Sequence, residues 1–202
     1  PEAGYPYPEC LTEEDIAAQD TSECTPCQLG EEGYVELWGE HCYSIADTES
    51  IWFSNNGGNT ALHYQEIPTD ICQLVNLEFL VLMESHLLGE IPSCIVDLVN
   101  LQDLALDRNQ LSGEIPYGID PTGYFDELGV SHNQLTGTIP SDCGNWDASH
   151  GFSHLRLNDN QLSGIIPDCI CDQGDSTPSL ENNQFCPPYP SCISENDIGY
   201  QY

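Results

Sequence analysis

Between residues 77 and 167 the chain repeats one pattern four times, and this repetition limits the fold more than any other feature. The copies are LEFLVLMESHLLGEIP (77–92), LQDLALDRNQLSGEIP (101–116), FDELGVSHNQLTGTIP (125–140) and FSHLRLNDNQLSGIIP (152–167). The prolines that end them lie 24, 24 and 27 residues apart. Units of this length are coils that bury their apolar side only against neighbouring coils. The repeat therefore predicts a solenoid.

The pattern L-x-x-L-x-L-x-x-N-x-L-x-G-x-I-P resembles the plant-type leucine-rich repeat. The phrase GYVELWGEHCY (33–43) and the Cys-rich ends are most similar to the caps of secreted bacterial leucine-rich-repeat proteins. This resemblance implies an α/β-type solenoid that is mostly β, with a concave parallel sheet and disulfide-bonded caps. The right-handed superhelix would contain about five to six coils.

Within each coil, L-x-L predicts a short strand whose two leucines point inward. The asparagines at the following bend, Asn109, Asn133 and Asn160, are expected to form a ladder that satisfies backbone groups of neighbouring coils. Ser85 occupies the same position in the first copy and should do this less well.

The chain divides into three regions on this interpretation. Residues 1–47 form a Cys-rich N-terminal segment and cap, residues 48–185 the solenoid, and residues 186–202 a C-terminal cap that resembles residues 4–20. A fold of this kind serves many functions, so the fold alone does not assign one.

The two ends share a second, longer repeat. Residues 7–19 and residues 189–201 are identical at seven of 13 positions, with a constant offset of 182 residues. Three interpretations remain open: a duplicated cap, one module of a longer tandem array, or head-to-tail assembly of separate copies. A heterologous contact that does not close would produce a filament.

The composition is strongly acidic. There are 34 Asp and Glu residues against two basic residues, Arg108 and Arg156, which gives a formal net charge of −32. Nucleic acids and anionic membrane surfaces are bound through Lys and Arg, so both are excluded as partners. We also expect no membrane insertion and no required cofactor. Association of Ca²⁺ with the acidic surface is expected, because self-repulsion at this charge opposes compaction.

Eleven cysteines indicate an oxidising compartment, and hence a secreted, extracellular or cell-surface protein. Cysteines that follow the terminal prolines of adjacent coils would lie at disulfide distance, because coils stack about 5 Å apart. The candidate disulfides are Cys10–Cys24, Cys27–Cys42, Cys72–Cys94, Cys143–Cys169 and Cys171–Cys186.

This pairing leaves Cys192 free. Together with Tyr200 and Tyr202 it is our candidate for contact with a neighbouring subunit. The alternative pair Cys186–Cys192 would leave Cys171 free instead, and the sequence does not choose between the two.

The residues that alternate with the inward leucines should form the concave surface, where repeat proteins commonly bind their partners. Its central column is expected to contain Trp52, Val81, Ala105, Gly129, Arg156 and Glu181. The candidate ligand face contains Asp103, Asp107, Arg108, Asp126, Glu127, His132, His154, Arg156 and Asp159. It could be an acidic, histidine-bearing groove for a cation or a polyhydroxylated glycan. The alternative is an ordinary solvated β surface.

The sequence contains no G-x-S-x-G, H-E-x-x-H or Gly-rich phosphate loop, so we predict no enzymatic activity. We expect an extracellular structural or adhesive protein that polymerises head-to-tail into a filament, with other copies of itself as partners. The alternative is a monomeric secreted recognition module that binds a glycan or a protein in its concave groove.

Overall fold

The computed structural model describes residues 27, 31–39, 41–54, 62, 64–119, 126–140, 153–194 and 198–202. The predicted disulfide Cys10–Cys24 lies outside these residues, as does the head phrase 7–19.

A β-hairpin covers the N-terminal end of the solenoid. Strand β1 (Tyr34–Leu37) pairs antiparallel with β2 (His41–Ser44). The turn residue Trp38 lies against the first coil, because its indole Nε1 donates a 3.0 Å hydrogen bond to the backbone carbonyl of Glu66. The predicted disulfide Cys27–Cys42 is present and ties the preceding chain to β2.

One parallel sheet lines the concave side of the solenoid. Its strands are β3 (Ser50–Ser54), β4 (Phe79–Met83), β5 (Asp103–Ala105), β6 (Glu127–Gly129) and β7 (His154–Arg156). They pair in chain order, one strand for each coil. The next coil adds only a single bridge, between Arg156 and Ser179. The predicted solenoid with a concave parallel sheet is confirmed.

The other side of each coil contains shorter elements. Strand β8 (Ser163–Ile165) pairs in parallel with β9 (Gln184–Cys186). One-turn 3₁₀ helices span Thr69–Gln73, Ser93–Asp97 and Asp168–Cys171. Each begins directly after a repeat-ending proline and buries one isoleucine. A proline suits this start, since its missing N–H has no helical partner at that position.

The asparagine ladder is present. The Asn133 side-chain oxygen accepts from the backbone N–H of Leu111 in the preceding coil at 3.0 Å. Its amide nitrogen donates to the carbonyls of Leu106 and Val130, each at 3.0 Å. Asn109, Asn160 and Asn183 repeat this arrangement. Among the described residues, the Ser85 hydroxyl reaches only the carbonyl of Met83 in its own coil, at 3.0 Å.

The tail supplies one more rung of this ladder. The Gln201 side-chain oxygen accepts from the N–H of Phe185 at 3.0 Å, and its amide donates to the carbonyls of Leu180 and Ile198 at 3.3 and 2.9 Å. Gln201 therefore bonds the coil of Asn183 in the same way as Asn183 bonds the coil before it. The end of the tail therefore imitates one short coil and covers the C-terminal end of the core. Ile198 is buried beneath it.

The disulfides correct one prediction. Cys72–Cys94 joins adjacent coils with a Cα–Cα distance of 6.0 Å, as predicted. Cys169 is disulfide-bonded, and its predicted partner Cys143 lies outside the described residues.

The predicted pair Cys171–Cys186 is wrong, because Cys171 bonds Cys192 with a Cα–Cα distance of 5.6 Å. Among the described residues the free thiol is the exposed Cys186, not Cys192. The physical reason is the register of β9, which places Cys186 opposite Ile165 on an outward-facing position. Cys192 is therefore not available to link a neighbouring subunit.

Candidate functional site

The outward residues of the concave sheet form parallel rows, because equivalent residues of successive coils pair directly. The central row is Trp52, Val81, Ala105, Gly129 and Arg156. It continues with Ser179, which bridges Arg156. Glu181, predicted for this position, lies two residues further along its coil. The prediction was wrong because Pro178 replaces the first leucine of the L-x-L pair in this coil.

Arg156 crosses two coils to reach a buried carboxylate. Its Nη2 donates to Asp107 Oδ2 at 3.0 Å and also contacts Glu127 Oε1. Asp107 is only 2% exposed, and its Oδ1 accepts from the Ser131 N–H at 3.0 Å and from the Ser131 hydroxyl at 2.6 Å. Burial lowers the pKa of Arg156, but the hydrogen bonds and charges of Asp107 and Glu127 outweigh this and raise the pKa above its usual value.

Gly129 makes this crossing possible. A Cβ atom at Gly129 would lie 2.2 Å from Asp107 Oδ2 and 2.7 Å from Arg156 Nη2. Any larger residue would occupy the place of the ion pair. The repeat pattern predicts Asp107, Gly129 and Arg156 on one face but does not predict this contact. The sequence signal for this contact is Gly129, which stands in the central row directly before Arg156 and leaves space for its side chain.

A second group of charges lies beside the central row, where Asp103, Glu127 and His154 pair across β5, β6 and β7. The Asp103 Oδ1 atom is buried and has no hydrogen-bond partner among the described residues. Burial raises the pKa of Asp103, the charges of Glu127 and Asp126 raise it further, and His154 lowers it. Asp126 itself accepts a hydrogen bond from the Ser153 hydroxyl. This group therefore carries an excess of negative charge.

The remaining candidates lie in a row at the bend that follows each strand. Glu84, Arg108, His132, Asp159 and Asn182 all have positive φ, from 52° to 58°. Arg108 Nε lies 3.6 Å from Glu84 Oε1, and His132 Nε2 lies 3.4 Å from Asp159 Oδ2. Asn182 donates to Asp159 Oδ1 at 2.8 Å. This row is engaged in contacts of its own, at the edge of the sheet rather than in the acidic group.

The opposite end of the concave sheet is apolar. Trp52, on the first strand of the sheet, is 64% exposed. The two residues that follow it in the central row are small and level with the surface, since Val81 is 6% and Ala105 3% exposed. The concave surface therefore has an aromatic end on β3 and an acidic end on β5–β7.

Within the part of the chain that the structure describes, no group of three or more His, Cys, Asp or Glu side chains is placed to hold a metal ion. In the same residues no helix is long and apolar enough to cross a bilayer. The intersubunit candidates Tyr200 and Tyr202 are exposed, and their rings make an edge-to-face contact with centroids 5.3 Å apart.

The family model described as Leucine Rich Repeat matches residues 125–146 and 152–173, which contain the third and fourth copies of the pattern. The solenoid is a leucine-rich-repeat fold. Its neighbours among solved structures include ectodomains of plant receptors, which share this fold. None of the curated proteins matches the sequence.

Three solved structures illustrate the similarity. The plant peptide hormone receptor RGFR1, in complex with RGF2, has a TM-score of 0.59 and 31% identity over 67% of this chain. The BIR3–SERK2 complex from Arabidopsis thaliana gives 0.53 and 27%, covering 81% of both chains. A plant ice-binding protein gives 0.54 and 28%, covering 68% of this chain and 42% of its own. This leucine-rich-repeat chain spans 20% of the hormone receptor's length.

Proposed function

We propose that this leucine-rich-repeat chain is an extracellular recognition module, without catalytic activity, that binds a polypeptide partner on its concave sheet. The observation that carries the proposal is the outward face of that sheet. Its inward residues repeat from coil to coil, whereas its outward residues change from tryptophan through small residues to charged ones. A surface that does not follow the repeat is not required by the fold, and it is available for recognition.

The similar structures support a polypeptide as the partner. RGFR1 was solved with RGF2, and another neighbour, the Arabidopsis receptor kinase HAESA, with the peptide hormone IDA and the co-receptor SERK1. The disulfides support a site of action outside the cytoplasm, because such bonds persist in oxidising compartments. The Cys-rich caps agree with a secreted protein of the bacterial type that the sequence resembles.

The test is a selection of 12-residue peptides from a random display library on the immobilised full chain. We expect selected peptides to lose binding to Trp52→Ala and to retain it with Tyr117→Ala. Tyr117 is a matched control, because it is 71% exposed and follows a repeat-ending proline outside the sheet. Peptides that bind both variants equally well would contradict a concave binding surface.

A second candidate function is head-to-tail assembly into a filament, and one observation favours it. The tail completes the ladder through Gln201, and the head contains the same phrase with Gln19 in the corresponding position. If the head segment binds the end of a solenoid as the tail does, the head of one copy can stack on the tail of another copy. The exposed Tyr200 and Tyr202 would lie at that contact.

Electron microscopy of the purified chain tests this second function. Periodic fibres support it, and dispersed single particles contradict it. Disulfides are not expected to build the filament, because Cys186, the free thiol among the described residues, can join at most two copies.

Calcium association stays a prediction from the net charge of −32. It is checked by melting the protein in calcium and in chelator. A higher melting temperature with calcium supports it, and equal temperatures remove it. A diffuse effect of this kind should be strongest at low ionic strength, because salt screens exposed charges.

A further inference from the structure

We propose that the concave sheet selects an extended cationic peptide, in which one lysine or arginine donates to Asp103 and an apolar side chain packs on Trp52. This inference rests on the proposed function and assigns the chemistry of its partner. The partner is a peptide with an apolar residue and a basic residue at a fixed spacing.

The first step is that the chain contains no cation to spare for Asp103. Arg108 and Arg156 are its two basic residues. Arg156 is engaged with Asp107 and Glu127, and Arg108 lies against Glu84 in the row at the bend. Within the described residues His154, whose Nδ1 lies 4.0 Å from Glu127 Oε2, is the other group at the acidic end that can carry positive charge, so further positive charge must come from a partner.

The second step is the state of the Asp103 carboxylate. Buried polar atoms in folded proteins almost always have a hydrogen-bond partner, and the Asp103 Oδ1 atom has none among the described residues. Across the sheet Asp103 pairs with Phe79 on one side and with Glu127 on the other, and His154 lies beyond Glu127. An ammonium or guanidinium group bound beside the partly exposed Asp103 side chain would relieve the repulsion from Glu127, its neighbour across the sheet, and from Asp126.

The third step is the spacing of the two contacts. Trp52 and Asp103 lie two strands apart and two residues apart along the strand direction. Strand spacing and residue rise place them roughly 12 Å apart. Four residues of an extended chain span about 13 Å and return the side chain to the same face. The peptide should therefore read apolar-x-x-x-Lys/Arg.

The surface between the two contacts suits an extended backbone. Val81 and Ala105 are the central-row residues of β4 and β5, and both are small and level with the surface. A peptide strand can lie across them without a clash. Net charge adds long-range attraction for a basic peptide, which raises the association rate more than the affinity.

The experiment uses 12-residue peptides selected from the random library on the full chain. We expect Lys or Arg to be enriched four residues from an apolar residue. A synthetic peptide of this kind should bind Asp103→Asn at least about tenfold more weakly than the unchanged chain. Asp97→Asn, the same change on an exposed residue of a 3₁₀ helix, should bind as the unchanged chain does.

Replacing the basic residue of the peptide with norleucine should cost the same factor. Combined with Asp103→Asn it should cost nothing more, since both changes remove one interaction. Loss of folding does not explain the expected loss of binding, because Asp103→Asn removes a repulsive charge and should melt no lower than the unchanged chain.

The outcomes separate the two proposals. Peptides that need Trp52 but bind Asp103→Asn unchanged would overturn the cationic contact and leave the recognition function in place. Peptides that need neither residue would overturn the recognition function itself.

Discussion

The inward and outward residues of the same three strands differ sharply. In β5, β6 and β7 the inward residue is leucine each time, Leu104, Leu128 and Leu155, and each is fully buried. The outward residues that follow them are alanine, glycine and arginine. The inward residues are thus constrained by packing against equivalent residues of the neighbouring coils. The outward residues are not constrained in this way, so the concave face can differ from coil to coil and bind a partner.

The largest expected effect is on the inward half. Leu128→Ala leaves a cavity between coils, and the free energy of unfolding should fall by about 3–4 kcal/mol. Urea denaturation without reductant measures it. A loss below about 1 kcal/mol would show that the coils can collapse around the gap, and would contradict a closely packed core.

The asparagine ladder should rank second. Asn133→Ala leaves the Leu111 N–H without its partner and removes one of the two donors to the Leu106 carbonyl, which Asn109 still contacts, and we expect a loss of about 2–3 kcal/mol. Ser85→Ala is the matched control, since its hydroxyl bonds within its own coil, and it should cost less than about 1 kcal/mol. Equal losses for the two variants would mean that the ladder does not join the coils energetically.

Contacts that repeat could be predicted from the sequence, and contacts that do not repeat could not. Leucines, asparagines and the staple Cys72–Cys94 join equal positions of adjacent coils, so the period alone places them. Arg156 and Asp107 occupy different positions two coils apart, and their contact depends on the space above Gly129.

The same reason explains the wrong disulfide. Cys171–Cys192 depends on the path of the chain after β9, where the repeat has ended. Glu181 was misplaced for a related reason, because its coil lacks the first leucine from which the row is counted. The residues of the acidic end were predicted from the sequence, but the buried Asp103 oxygen, which has no hydrogen-bond partner among the described residues, was not.

The outward half offers a smaller test. Gly129→Ala places a methyl group where Asp107 and Arg156 meet, and stability should fall by about 1–2 kcal/mol through overpacking and a weakened ion pair. Ser179→Ala, in the same row, should stay within about 0.5 kcal/mol of the unchanged chain. If Gly129→Ala is as stable as Ser179→Ala, the ion pair does not hold the coils together.

The smallest effect has the opposite sign. The pKa of Asp103 is raised above its ordinary value of 3.8 in the folded chain, first by burial and then by Glu127 and Asp126. Below that value the carboxyl is protonated in both states and contributes nothing. As the pH rises from 3.8 through the folded pKa, the carboxyl ionises more readily in the unfolded chain than in the folded chain. The free energy of unfolding therefore decreases towards neutral pH.

Asp103→Asn should therefore melt higher than the unchanged chain at pH 7, and the difference should close as the pH falls towards 3.8. Because the Asp103 side chain is only partly buried, solvent screens its charge and the gain should be less than about 1 kcal/mol. Asp97→Asn, the same change on an exposed residue, is the control. A lower melting temperature for Asp103→Asn at pH 7 would mean that the carboxylate stabilises the coil, and the case for a partner's cation at this position would then lose its physical basis. A residue that weakens the fold yet strengthens binding is the expected mark of function on an otherwise repetitive solenoid.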